Sequence, residues 1–356
     1  LRKIKLTAII LIIITLIVSL FSGCTKAEQN KGDTTPTPTV AKSPTSEPVK
    51  LTKIRLNEVV RSIFYAPMYA AINEGFFEEE GFEIELSTGQ GADKTMQQVL
   101  SKNADIGFCG PEQVIYLYNQ GREDYTVVFA QLTKRDGSFL VGRTPETDFK
   151  WESLKGKTLI GGRPGGVPQM TLEYVIRQHG LDPLKDVEFI TNLDFTATHS
   201  AFRSGMGDYV ALFEPTATVL EDQGAGSIVA SIGKDSGEIP YTCFFATKSY
   251  MESNPETIQK FTNALYKGML WVESHTPEEI ADSVKSFFPG SDAAQLAKVV
   301  KRYKDQDAWS KDLILSEESL NRLCDVIKTY KADLLPQIPP FENVVDNKFA
   351  IQAGKN

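Results

Sequence analysis

Ile106-Gly107-Phe108-Cys109-Gly110-Pro111-Glu112-Gln113 begins as a short apolar run, breaks at Gly-Pro and continues into residues that read as a helix to Asn119. The same grammar returns at Tyr209-Val210-Ala211-Leu212-Phe213-Glu214-Pro215-Thr216. A strand, a proline turn and a helix make the repeating unit of α/β proteins, because proline pre-sets the first helical φ and lacks only an amide that would be unpaired anyway. Working outward, β-rich runs (54–60, 82–86, 126–132, 138–141) alternate with helical ones (67–74, 93–102, 111–119). The cycle restarts at 157–161 and alternates to a strand at 241–247, after which the chain reads as helical to 330. This order predicts an α/β protein of two lobes, with chain crossings near 141–144 and 241–246 and a helical tail returning to the first lobe. Ligands in open α/β sheets bind beyond the carboxyl ends of the strands, so the informative residues are those that follow each strand.

Composition narrows the function. The chain has 356 residues, 41% hydrophobic and 24% charged, which is ordinary globular usage. Formal net charge is −8 although the first 23 residues carry only positive charges, Arg2, Lys3 and Lys5. So acidic a body is a poor nucleic-acid binder, since that affinity comes from neutralising phosphates with Lys and Arg. Four cysteines form no CxxC pair. Three histidines, His179, His199 and His275, lack metal-ligand spacing. GxSxG, GxxxxGK[ST] and GxGxxG are all absent.

The N-terminal fifty residues read as an address. A basic start is followed by fifteen uncharged residues, 6–20, and then by Leu20-Phe21-Ser22-Gly23-Cys24. A basic segment plus an apolar core is the pattern of an export signal, and the sequence before Cys24 resembles a bacterial lipobox. The expected organisation is a lipoprotein signal peptide (1–23), a lipidated Cys24 with a flexible tether (24–50), lobe 1 (51–141 plus 243–345), lobe 2 (142–242) and a C-terminal tail (346–356). The tether is rich in Thr, Pro, Ser and Lys and has too little apolar surface to fold.

Five loops carry the candidate ligand contacts. After the first strand come Ser62, Phe64 and Tyr65, the aromatics serving either the cleft or the core. Cys109, Gly110 and Glu112 follow at the second; Glu112 suits a helix dipole or a ligand, and Cys109 is a packing residue or a redox partner of Cys243. The glycine-rich stretch 161–169 supplies Gly165, Gly166 and Gln169, where backbone N–H groups would serve anions or carbonyls. Phe195, Glu214 and Tyr241 complete the set.

Phe64-Tyr65-Ala66-Pro67, then Glu74-Gly75-Phe76-Phe77 and Glu80-Gly81-Phe82, resembles the opening of the nitrate/sulfonate/taurine and thiamine-pyrimidine-precursor group of ABC-transporter solute-binding proteins. Ala104-Asp105-Ile106-Gly107 with Gly110-Pro111-Glu112, and Leu154-Lys155-Gly156-Lys157-Thr158 before the glycine-rich loop, are similar to that family's later motifs. The resemblance implies a two-lobed periplasmic-binding-protein fold of type II, with two crossing strands and a ligand cleft between the lobes. It implies a monomeric, lipid-anchored extracytoplasmic protein that binds a small solute and delivers it to an ABC permease and its ATPase, with no catalytic residue, metal, cofactor or nucleic-acid partner. Glu112 and Glu214 with the aromatics favour an aminopyrimidine-like heterocycle. The glycine-rich loop with Arg61 and Arg163 would serve a sulfonate, taurine or nitrate instead. Of other classes, a pyrimidine-precursor synthase-like enzyme and a surface sensor are the alternatives.

Overall fold

The structure is a computed structural model that describes residues 50–355. The expected signal segment, Cys24 and the tether up to residue 49 lie outside the described residues. Among the described residues no helix is long and apolar enough to cross a membrane.

Two five-stranded sheets carry the fold. The first contains β1 (Thr52–Glu58), β2 (Phe82–Thr88), β3 (Ile106–Cys109), β4 (Thr126–Thr133) and β10 (Thr242–Thr247), in the order β2-β1-β3-β10-β4. The second contains β5 (Ser138–Gly142), β6 (Lys157–Ile160), β7 (Val187–Ile190), β8 (Tyr209–Phe213) and β9 (Ser227–Ser231), in the order β7-β6-β8-β5-β9. In each sheet three strands run parallel, and one central strand, β10 or β5, pairs antiparallel with both neighbours. The parallel trios follow from helical crossovers such as Ala92–Leu100 and Val167–Gln178.

The chain passes between the sheets at residues 134–137 and 232–241. The first passage precedes the expected one at 141–144, so β5 belongs to the second sheet and the boundary expected at 141 falls within it. Apolar periodicity marks residues 138–142 as a strand but does not reveal the partner. That choice is made by antiparallel pairing with β8 and β9. At the second passage, Ile232–Ser236 forms a short helix capped by the Ser231 side chain.

Strand β4 is a sheet edge, yet all eight of its residues are buried. The C-terminal region covers it: Gln131 N donates to Leu313 O (2.8 Å) and Asp346 N to Val128 O (2.8 Å). A covered edge offers no template for strand addition. Residues 346–356, expected as a tail, include the helix Lys348–Ala353, whose Phe349 and Ala350 are buried against the helix Pro255–Ser274.

Pro255–Ser274 in turn packs on Ala66–Asn73, and Gly268 sets the closeness of that contact. A Cβ there would sit 2.5 Å from Pro67 O and 2.6 Å from Ala71 Cβ. Gly268→Ala is therefore expected to destabilise the fold by roughly 1–3 kcal/mol through overpacking, measured as a lower urea midpoint with unchanged slope.

Candidate functional site

A cavity of about 40 Å³ lies where the strand ends of the two sheets meet. From the first sheet it takes Tyr65 after β1, Gly110 and Glu112 after β3, and Tyr241 and Thr242 at the start of β10. From the second it takes Arg163 and Gly166 after β6, Phe195 after β7 and Phe213 at the end of β8. Val59, Val60, Ala92, Val167 and Pro168 complete an apolar wall. Tyr65 stands edge-on to Phe108 (4.6 Å between centroids), and Phe213 lies 6.0 Å from Phe195 and 6.2 Å from Tyr241.

Glu112 is the charged group placed deepest. Pro111 starts its helix, so the acid falls in the first turn and its side chain is 1% exposed. Oε1 accepts from Gln113 Nε2 (3.2 Å), and Oε2 is buried with no partner. Burial pushes the carboxyl up to about 7; the Gln113 hydrogen bond, the charge of Arg163 and the nearby backbone amides of Glu112 and Val167 pull the other way. Gly110 lets the carboxyl sit here, because a Cβ at that position would lie 2.0 Å from Glu112 Oε2 and displace it. Arg163 is half-exposed at the cavity's edge and reaches across the cleft, Nε 3.5 Å from Asp93 Oδ1. A shallow groove continues outward from Arg163 and Phe195 along residues 90–94 and 191–194.

Six of the twelve expected contacts line this cavity: Tyr65, Gly110, Glu112, Gly166, Phe195 and Tyr241. The other six lie outside the lining of this cavity, each with contacts of its own. Ser62 Oγ donates to Glu214 O (2.7 Å), which ties the two halves together. Phe64 is fully buried in the core, 5.0 Å from Tyr303. Cys109 lies beneath the cavity, its thiol near Ala92 O. Gly165 gives its carbonyl to Tyr116 OH (3.0 Å). Gln169 Oε1 accepts from Gly162 N (3.0 Å), while its Nε2 donates to Glu173 (2.9 Å). Glu214 accepts from Thr218 N (2.8 Å) and Thr218 Oγ1 (2.9 Å) and is ion-paired with Arg302.

Two anion-binding expectations change with them. In the glycine-rich loop, Gly161 N donates to Ile190 O and Gly166 N to Arg163 O, so with Gly162 three of its amides are already spent. Arg61 pairs with buried Glu58 (2.6 Å) and lies over the rings of Tyr69 and Phe287, away from the cavity. Eight further lining residues are not among the twelve; Arg163, Val167, Pro168, Phe213 and Thr242 adjoin expected contacts, whereas Val59, Val60 and Ala92 are plain aliphatics whose only signal is their position just after a strand or at a helix start. No histidine lines the cavity. Among the described residues no group of three His, Cys, Asp or Glu is placed to hold a metal.

Residues 63–280 match the family described as NMT1/THI5 like. The chain belongs to the NMT1/THI5-like family. Bacillus subtilis (strain 168) YtlA, named as a binding protein, is 45% identical over 300 residues, covering 84% of this chain and 89% of that protein. Among solved structures, the alkanesulfonate-binding protein SsuA of Xanthomonas axonopodis pv. citri superposes with a TM-score of 0.66 at 16% identity, over 85% of this chain and 99% of that one. The periplasmic nitrate-binding protein NrtA of Synechocystis PCC 6803 does so with a TM-score of 0.66 at 15% identity, over 86% and 89%. At these identities the likeness is one of fold, and this NMT1/THI5-like chain has the periplasmic-binding-protein fold.

Proposed function

We propose that the protein is the extracytoplasmic solute-binding component of an ABC-type importer, and that its solute is a small flat heterocycle bearing N–H donors, such as an aminopyrimidine. Family membership, the binding-protein name of YtlA and the sulfonate- and nitrate-binding proteins that share the fold support the solute-binding reading. The single observation behind the ligand class is Glu112 Oε2, a buried acceptor without a donor at the wall of an aromatic cavity. An unpaired buried carboxylate oxygen is costly, and a ligand N–H removes that cost. A sulfonate or nitrate would instead meet this acid. Three of the loop amides that would have served such an anion, those of Gly161, Gly162 and Gly166, are held internally. The walls offer aromatic burial and hydrogen bonding, and no Ser, Cys, His or Lys beside the Glu112 carboxyl, which suits capture without turnover.

Binding proceeds by closure of the two halves. Solute shifts the equilibrium only by its preference for the closed form over the open one, and here the cavity draws its walls from both sheets. Lipidation at Cys24 and a tether from 25 to 50 hold the monomeric body at the membrane beside its permease. That part of the proposal rests on the sequence alone.

A thermal-shift and calorimetry series decides the ligand class. An aminopyrimidine at about 100 times its Kd stabilises the fold by about 2.7 kcal/mol, while taurine, alkanesulfonates and nitrate leave the melting temperature unchanged. Glu112→Ala weakens the aminopyrimidine by about 10- to 100-fold, the value of a charge-assisted hydrogen bond. Binding of the anions alone, or an unchanged aminopyrimidine Kd in Glu112→Ala, would overturn the assignment.

A further inference from the structure

Strands β3 and β10 run antiparallel, and their register sets Cys109 directly opposite Cys243. Directly opposed residues on such strands lie about 4.5–5.5 Å apart at Cα. That is inside the roughly 4.4–6.8 Å a disulfide spans, and opposed side chains leave the same face of a sheet. Both thiols are free and fully buried. Cys109 Sγ sits 3.7 Å from Ala92 O and 3.6 Å from Gly110 O, and Ala92 and Gly110 both line the cavity. Cys243 follows Thr242, which also lines the cavity. The Cys109 sulfur therefore lies against the backbone of two cavity-lining residues, and Cys243 is its cross-strand partner.

We propose that Cys109 and Cys243 are a reversible dithiol–disulfide pair built into the floor of the binding pocket. The oxidant is a small disulfide. One cysteine thiolate attacks a sulfur of that disulfide, forms a mixed disulfide and releases one thiolate. The second cysteine thiolate attacks the protein-bound sulfur and releases the other. The net change is two protein thiols oxidised to one protein disulfide and one small disulfide reduced to two thiols. Burial, with Glu112 nearby, holds both thiols well above their ordinary value. The thiolate fraction is then small, so exchange is slow at neutral pH and accelerates as pH rises.

The bond would tie the segment leading to Glu112 to the segment carrying Tyr241 and Thr242, two walls of one cavity. It would also close a covalent ring around residues 109–243, which include the whole second sheet. An oxidising compartment follows only from the proposed extracytoplasmic placement; the chemistry and its test do not depend on it.

The test uses the full chain carrying Cys24→Ser and Cys324→Ser, alongside the wild-type chain. Each is purified reduced and incubated folded with oxidised glutathione at pH 8. The expected product is two hydrogens lighter, with a peptide pair joined through Cys109 and Cys243. It has neither thiol open to iodoacetamide after unfolding, and dithiothreitol restores both. Cys109→Ser removes the joined peptide. Two alkylatable thiols after prolonged exposure, or separate glutathione adducts at 109 and 243, would overturn the proposal. Should the double variant fail to fold, the wild-type map decides: a 109–243 link supports the pair, and links confined to Cys24 or Cys324 refute it. Solute specificity enters none of these readouts, so failure here leaves the importer reading untouched.

Discussion

Arg302→Ala is expected to destabilise the protein by about 3–5 kcal/mol, because it strands a buried carboxylate. Glu214 is fully buried, and Arg302, on the helix Ala293–Asp305, is its only cationic partner among the described contacts. The two Thr218 hydrogen bonds remain in the variant, but they carry no charge to offset the acid. Arg302 also donates to Thr218 Oγ1 (2.8 Å) and reaches Glu221 (3.3 Å), so one guanidinium fastens the helix Thr216–Asp222 of the second half to the C-terminal helices. Lys298 with Glu221 and Asp222 lies across the same seam but is exposed. Lys298→Ala is therefore expected to cost under about 1 kcal/mol. Urea unfolding of the two variants separates the cases. A loss below about 1 kcal/mol for Arg302→Ala would mean that water reaches Glu214 and that the pair is not the seam's anchor. Pairing the change with Glu214→Gln should recover much of the loss, since the stranded charge is then gone.

The same contact explains how far the site was legible. Glu112 and Glu214 look alike in sequence: each lies beside a proline between a strand and a helix. Their order differs. In Pro111-Glu112 the acid is inside the first helical turn and its Oε2 is left without a partner at the cavity. In Glu214-Pro215 it precedes the helix, and its carboxylate turns back to Thr218 and meets an arginine 88 residues further on. No local pattern announces that arginine. Gln169 and the glycine-rich loop misled in the same way, because a side chain seven residues on already holds the Gly162 amide. The alternation of strands and helices was readable because Gly and Pro punctuate it at Gly75, Gly110-Pro111 and Val167-Pro168. The short helix Ile232–Ser236 was not, being too brief to show a period. Its signal is the Ser231 cap, which suits a turn equally well.

Asp136→Asn is expected to stabilise the protein near neutral pH and to matter little near pH 4. Asp136 lies in the first passage between the sheets and is fully buried. Its Oδ1 accepts from Ser138 N (2.7 Å) and Ser138 Oγ, and its Oδ2 has no partner. Burial pushes the carboxyl up to about 7 from 3.8, against the smaller pull of the Ser138 and Tyr241 groups. The Tyr241 hydroxyl is near enough to lower it, yet it and Asp136 Oδ2 are both without a hydrogen-bond partner. The flanking cations do not neutralise it: Lys134 turns to Asp307 (2.7 Å) and Arg135 to Glu238 (3.4 Å). Gln306, which packs on the same turn, offers its amide to Asp136 O rather than to the carboxyl.

The sign follows from proton counting. Below the unfolded value both states hold the proton, and the contribution is fully present. Between about 4 and about 7 the folded state keeps the proton and the unfolded state loses it, so stability falls as pH rises. Above the folded value both are ionised and the loss is complete, at most about 4 kcal/mol for a shift of this size. Asparagine keeps the Ser138 contacts and never ionises. The stability gap between Asp136→Asn and wild type should therefore open from pH 4 to pH 7 and then stay level. Glu112 titrates in the same window, which is why the gap, and not the wild-type curve alone, is the informative quantity. A gap that stays constant across pH 4–8 would show that Asp136 keeps an ordinary carboxylate. The Tyr241 ring lines the cavity, so a proton at this buried turn sits one side chain away from the cavity. The first passage is then not an inert connector: it carries a fully buried acid between the two sheets whose charge changes between about pH 4 and pH 7.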